Sequence, residues 1–148
     1  MRKAADVSFV ALRIVLAVLF IYAGMIKVVN VEAFADQIDN YRLLPYLINA
    51  LAAAILPWLE IVCGSLLLLG PWRKGAALGL AVLNVMFLIA VTSALARGLD
   101  ITCGCFSLAD AGMRIGVTKL VENILLTAGA FIVYYRTLLV PLKSLVQA

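Results

Sequence analysis

Two cysteines one glycine apart, Cys103-Gly104-Cys105, are the residues best suited to chemistry in a chain with one further cysteine and no histidine. Cysteines at i and i+2 close a disulfide only if the backbone bends sharply, and Gly104 admits positive φ at no steric cost. Such a ring is small and departs from preferred disulfide geometry. Strain raises the reduction potential, so a bridge of this kind is labile and suits exchange better than stapling. Three readings stand side by side: a redox pair, a soft-metal clip and an inert turn. The metal that thiolates without histidine suit best is Cu(I), which would make Cys103 and Cys105 its ligands. Thiol reactivity needs a cation or a helix N-terminus nearby, and Arg97, Arg114 and Lys119 are the cations nearest in sequence.

The elements that must position this pair follow from composition. The chain has 148 residues, is 66% hydrophobic and only 14% charged, and carries a net charge of +4. That is too apolar for an ordinary water-soluble fold. Four stretches, Val7 to Ile26, Tyr46 to Leu69, Gly75 to Ala96 and Ile115 to Tyr135, are long enough to cross a hydrocarbon core as helices. The expected fold is all-α: one integral membrane domain over residues 1–148, a polytopic four-helix bundle. Arg2 and Lys3 before the first apolar run resemble a secretory signal, but the run is long and ends in Gly24-Met25-Ile26-Lys27 without a small-residue cleavage site, which predicts a retained helix. No nucleotide-binding glycine motif, zinc-ligand spacing or basic block is present, so nucleic acid is not an expected partner.

Loop charges suggest an orientation. Arg2, Lys3, Arg73, Lys74, Arg136 and Lys143 fall on one side, against Lys27, Arg42, Arg97 and Arg114 on the other. This bias puts both termini in the cytoplasm and the cysteine loop on the periplasmic face of a bacterial-type inner membrane, where paired thiols become disulfides. On that outer side Val31, Phe34, Ile38 and Tyr41 recur at helical spacing opposite Glu32, Asp36, Asp39 and Asn40. The pattern predicts a short amphipathic helix in the interface between the first two spans. Pro45 then starts the second span at a position where a missing N–H costs little.

Ionisable residues inside spans are costly and face a bundle interior or water. Counted from the cytoplasmic ends, Arg13 and Glu60 come at similar depth and are expected to pair, or Glu60 to be protonated. Pro57, Glu60 and Gly64 share one face of the second span. Toward the outer surface Lys27, Lys119, Glu122 and Asn123 can gather near the cysteine loop, with Glu122 the partner of either lysine and a proton relay for thiol chemistry. Asn84 reads as helix glue, Gly75-x-x-x-Gly79 as a packing motif, and Cys63 as a packing residue too deep to reach the outer pair.

Several of these features fall in a recognisable order: Tyr22-Ala23-Gly24-Met25-Ile26-Lys27, Phe34, Asn40-Tyr41-Arg42-Leu43-Leu44-Pro45, Pro57-x-x-Glu60-x-x-x-Gly64 and Cys103-Gly104-Cys105-Phe106. Together, over roughly residues 8 to 135, they resemble the MauE branch of the DoxX-like membrane proteins. That family often has glycine where this chain has Ser107, and arginine where it has Glu122 before Asn123. The resemblance implies a role in forming or handling disulfides of exported proteins through Cys103 and Cys105. Expected partners are an extracytoplasmic thioredoxin-like or disulfide-containing protein and membrane lipid. No covalently bound cofactor is expected; a membrane quinone is the simplest electron acceptor, by analogy with other four-helix disulfide oxidases. The alternative is a non-enzymatic assembly or maturation factor, or a Cu(I)-binding protein, using the same cysteines.

Overall fold

A computed structural model describes residues 2–43, 45–70, 72–99 and 117–139. Within them the protein is all-helical: α1 Arg2–Val29, α2 Val31–Asn40, α3 Tyr46–Leu69, α4 Arg73–Ala96 and α5 Val117–Leu139. Cys103, Cys105, Arg114 and Lys143 lie outside the described residues, as does the side chain of Lys119.

Among the described residues, three helices are long and apolar enough to cross a membrane: Asp6–Val29 within α1, Tyr46–Leu69 and Arg73–Ala96. The second coincides with the stretch expected from sequence, and the first runs three residues further, through Lys27, before the chain turns. α5, Val117–Leu139, falls on the fourth expected stretch and has the length of a span; the four-span bundle goes beyond the three membrane-capable helices found among the described residues.

Local chemistry explains the boundaries. Pro45 sits in extended backbone and caps α3, where its carbonyl accepts the N–H groups of Ile48 and Asn49 at 2.9 and 3.1 Å. Gly70, at φ 113°, ends α3 in a conformation that favours glycine, and its N–H donates to the Leu66 carbonyl. The expected amphipathic helix is α2, with Phe34 buried and Glu32, Asp36, Asp39 and Asn40 exposed.

α1 packs against α3 and α5, α4 packs against the same two helices, and α2 lies on α3 and the end of α1. The core joins Leu16, Ala17 and Phe20 of α1 with Leu67 of α3, Ala76, Ala77 and Leu80 of α4, and Val133 of α5. Alanines at the centre let the helices approach closely, the packing that serves where lipid removes the hydrophobic drive between helices. The outward faces are apolar: Val18, Tyr22 and Met25 on α1, Ile55, Trp58 and Val62 on α3, and Ile89 on α4 are all exposed. Water would penalise such a surface; lipid chains do not.

Candidate functional site

The site grows from the seam between α1 and α3. On α3, Asn49, Ala53, Pro57, Glu60, Gly64 and Leu67 form one buried stripe at helical spacing. α1 meets it through glycine. A β-carbon on Gly24 would stand 2.7 Å from the Pro57 carbonyl oxygen and 3.3 Å from Glu60 Cβ, and one on Gly64 would stand 3.0 Å from the Ala17 carbonyl. The two backbones therefore touch at both levels, which only glycine permits. This antiparallel register puts Lys27, one turn beyond Gly24, within one turn of Glu60, a gap its long side chain spans.

Lys27 Nζ donates to both carboxylate oxygens of Glu60, at 2.6 and 2.8 Å, and the two side chains are each 3% exposed. The ammonium also lies 5.2 Å from the Phe34 ring centroid and 5.0 Å from that of Phe87. Four helices thus build one site: α1 brings the cation, α3 the carboxylate, α2 and α4 the aromatic walls. Burying a charge here is tolerable because each partner is the other's counter-ion and the ring faces stabilise the ammonium where water is excluded. A proton held between a lysine and a carboxylate in this setting can pass from one to the other without a free charge appearing in the apolar interior.

This pairing corrects the expectation for Arg13 and Glu60. Depth counted from the helix ends ignored the register: with Gly64 against Ala17, Arg13 falls level with the end of α3, more than two turns from Glu60. It also corrects the expectation for Lys27, whose carboxylate partner is Glu60 and not Glu122. Glu122 is exposed on α5, while the neighbouring Asn123 is buried. Asn84 is buried as expected, yet its amide donates 2.9 Å to the Leu80 carbonyl of its own helix, so that bond ties no second helix. In Gly75-x-x-x-Gly79 only the second glycine packs, against Cys63 Sγ; nothing lies within 4 Å of a β-carbon on Gly75. Cys63 is a free, half-buried thiol beside the core, which fits its expected packing role.

Around the pair, polar bonds fasten α2 down. Asn49 donates to Asp39 at 2.8 Å, joining α3 to α2. Arg97, at the end of α4, donates to the carbonyls of Tyr41 and Arg42 just after α2. Arg42 has φ 48°, a left-handed conformation that ordinary residues avoid. Tyr41 packs with Val91 and Ala94, joined by Leu99 and Leu120, so α4 ends and α5 begins beside the α2 end of the molecule. Between α2, α3 and α4 an apolar groove of about 160 Å³ is lined by Ile38, Tyr41, Leu43, Leu56, Met86 and Phe87. A cavity of roughly 150 Å³ holds one benzene ring. Phe87 is shared: it lines this groove and lies against the Lys27 ammonium.

The two glycine contacts, the proline one turn before Glu60 and the phenylalanine in α2 are the features that build the site. They coincide with the stretches that carried the resemblance. A family profile described as Methylamine utilisation protein MauE matches residues 5–136. The chain belongs to the MauE family. It is similar to the methylamine utilization protein MauE of Paracoccus denitrificans, with 36% identity over 121 residues, 80% of this chain and 63% of that protein. The MauE protein of Methylophilus methylotrophus is 35% identical over 96 residues, 64% of this chain and 50% of the relative. That of Paracoccus versutus is 36% identical over 121 residues, 81% of this chain and 64% of the relative. The chain therefore spans between half and just under two thirds of the length of these curated relatives. No solved structure matches it. With three membrane-capable helices, this MauE-family protein is a multi-pass membrane protein.

Proposed function

We propose that the protein is a membrane thiol-disulfide redox protein serving methylamine utilisation, in which Cys103 and Cys105 exchange electrons with an extracytoplasmic dithiol client. In this reading all four long helices span the membrane as a bundle, the termini are cytoplasmic and the Cys-Gly-Cys stretch is periplasmic. The observation that carries the proposal is the aromatic-walled Lys27–Glu60 pair at the end of the molecule where α4 ends and α5 begins. Leu99, which packs there, precedes Cys103 by only four residues, a reach of at most about 14 Å. A buried proton-holding pair is what thiol chemistry inside an apolar shell would use.

The exchange balances as follows. A thiolate of the client attacks the Cys103–Cys105 bridge, the bridge's sulfur–sulfur bond breaks and a mixed disulfide forms. The second client thiolate displaces it, leaving the client oxidised and both cysteines reduced. A membrane quinone then takes two electrons and two protons from the two thiols and the bridge re-forms. The groove beside Phe87 has room for one ring, and Lys27–Glu60 is the proton-holding group next to it. The names of the family and of its relatives support the methylamine connection.

A Cys105→Ser substitution in a Cys63→Ser background tests the exchange. The expected result is an adduct of the membrane protein and a periplasmic partner that survives alkylation and disappears with reductant. If neither Cys103→Ser nor Cys105→Ser traps any partner while the purified protein binds Cu(I) in proportion to its cysteines, the metal-binding assembly reading replaces this one.

A further inference from the structure

At the opposite end of the α1–α3 seam two arginines stand where an anion belongs. Arg13 is on α1 and Arg73 opens α4, and these two helices face each other across the molecule, each packed on α3 and α5. The register set by Gly64 against Ala17 brings Arg13 to the level of the α3–α4 turn, where the Arg73 guanidinium folds back over Gly70. The Nε atoms of both are buried and lack any hydrogen-bond partner. Neither has a carboxylate partner among the described residues, where the acidic group within the membrane-spanning seam, Glu60, is taken by Lys27. Two like charges with buried, unused donors are unfavourable as they stand; one shared anion would satisfy both.

The surroundings describe the anion. The register fixed by Gly64 and Ala17 sets Arg13 level with the α3–α4 turn, so both arginines lie where the apolar length of α3 ends. Trp72, next to Arg73, is 72% exposed, the placement of an aromatic at the lipid headgroup level. Arg73 folds back over the turn: a β-carbon on Gly70 would stand 3.1 Å from one of its terminal nitrogens. Paired guanidinium forks at headgroup depth match the tetrahedral oxygens of a phosphate, which arginine binds bidentately. We propose that Arg13 and Arg73 form a binding site for a phosphate group, supplied by the headgroup of an acidic phospholipid.

The site is testable on the full chain purified in a neutral detergent. Retention of phosphatidylglycerol is read by native mass spectrometry, and its effect on Tm is compared with that of phosphatidylcholine and of inorganic phosphate. Wild type should retain phosphatidylglycerol in preference to phosphatidylcholine and gain Tm from it. Arg13→Gln and Arg73→Gln should each weaken that binding about tenfold or more, since each removes charged hydrogen bonds. Arg136→Gln, which removes an exposed cation from the last turn of α5, should leave it unchanged. Arg13→Lys keeps the charge and guards against a folding defect; it should bind at an intermediate level. If inorganic phosphate alone reproduces the Tm gain and competes the lipid away, the phosphate site stands and the lipid as its source is rejected. Equal lipid retention in wild type and in both glutamine variants overturns the proposal.

Discussion

The two ends of the α1–α3 seam treat charge in opposite ways. At the α2 end, Lys27 and Glu60 neutralise each other inside a wall of Phe34 and Phe87. At the end near the α3–α4 turn, Arg13 and Arg73 come to the same level with buried Nε donors that no described residue accepts from. A charge among these helices is thus either closed off by its own helices, as Lys27 and Glu60 are, or half-buried and open to something outside them, as Arg13 and Arg73 are. The first arrangement is internal to the fold and suits proton handling; the second suits a ligand.

The largest expected effect comes from breaking the closed end. Glu60→Gln or Lys27→Met leaves one buried charge without its partner, which in other proteins costs about 3–5 kcal/mol. Replacing both together, as Lys27→Met with Glu60→Leu, should return most of that stability while abolishing any proton role. Unfolding in detergent checks both, and a single variant as stable as the double variant would show that the pair is not closed off from water.

Next in size is the seam that aligns the pair. Gly24→Ala pushes a methyl group toward the Pro57 carbonyl oxygen, 2.7 Å from where it would sit, and should cost about 1–3 kcal/mol. Gly75→Ala meets nothing within 4 Å and should cost nothing, or gain a few tenths from helix propensity. Equal effects at the two glycines would mean that α1 and α3 do not touch as described.

How far the site could be read from sequence follows from these same residues. Helix type, the length of α3, the amphipathic α2 and the shared face of Pro57, Glu60 and Gly64 were all legible, because each is a periodicity or a cap within one segment. The partner of Glu60 was not. It depends on the register between two antiparallel helices, which Gly24 against Pro57 and Gly64 against Ala17 decide together; counting from estimated span ends gave Arg13 instead. Gly24 and Glu60 meet at one level, and Lys27 one turn on has the reach to bond Glu60, a relation visible only once the register is known. Asn84 shows a related limit: burial is visible in sequence, but whether an amide bonds across helices or along its own is not.

Two smaller effects sharpen the comparison. Phe87→Leu keeps an apolar side chain against Lys27 but removes a ring face, and should cost about 1–2 kcal/mol, more than the same change at an exposed aromatic such as Phe131. Arg13→Gln in lipid-free detergent should be neutral or slightly stabilising, because it relieves repulsion from Arg73. Added salt should likewise stabilise wild type but not this variant, since screening acts on partly exposed charges and hardly at all on a buried pair.

In the proposed function Cys103 and Cys105 do redox chemistry that draws on the Lys27–Glu60 pair. The most direct test is the thiol state of the two cysteines in native membranes of a Cys63→Ser strain. It is read by alkylation with a mass-tagged reagent before and after oxidised quinone is added, in parallel with Glu60→Gln. The expected result is a partly reduced pair that becomes oxidised on adding quinone, at least about tenfold more slowly in the Glu60→Gln protein, the scale on which a lost proton-transfer group shows. Two thiols that stay reduced and alkylate freely whatever is added would contradict it.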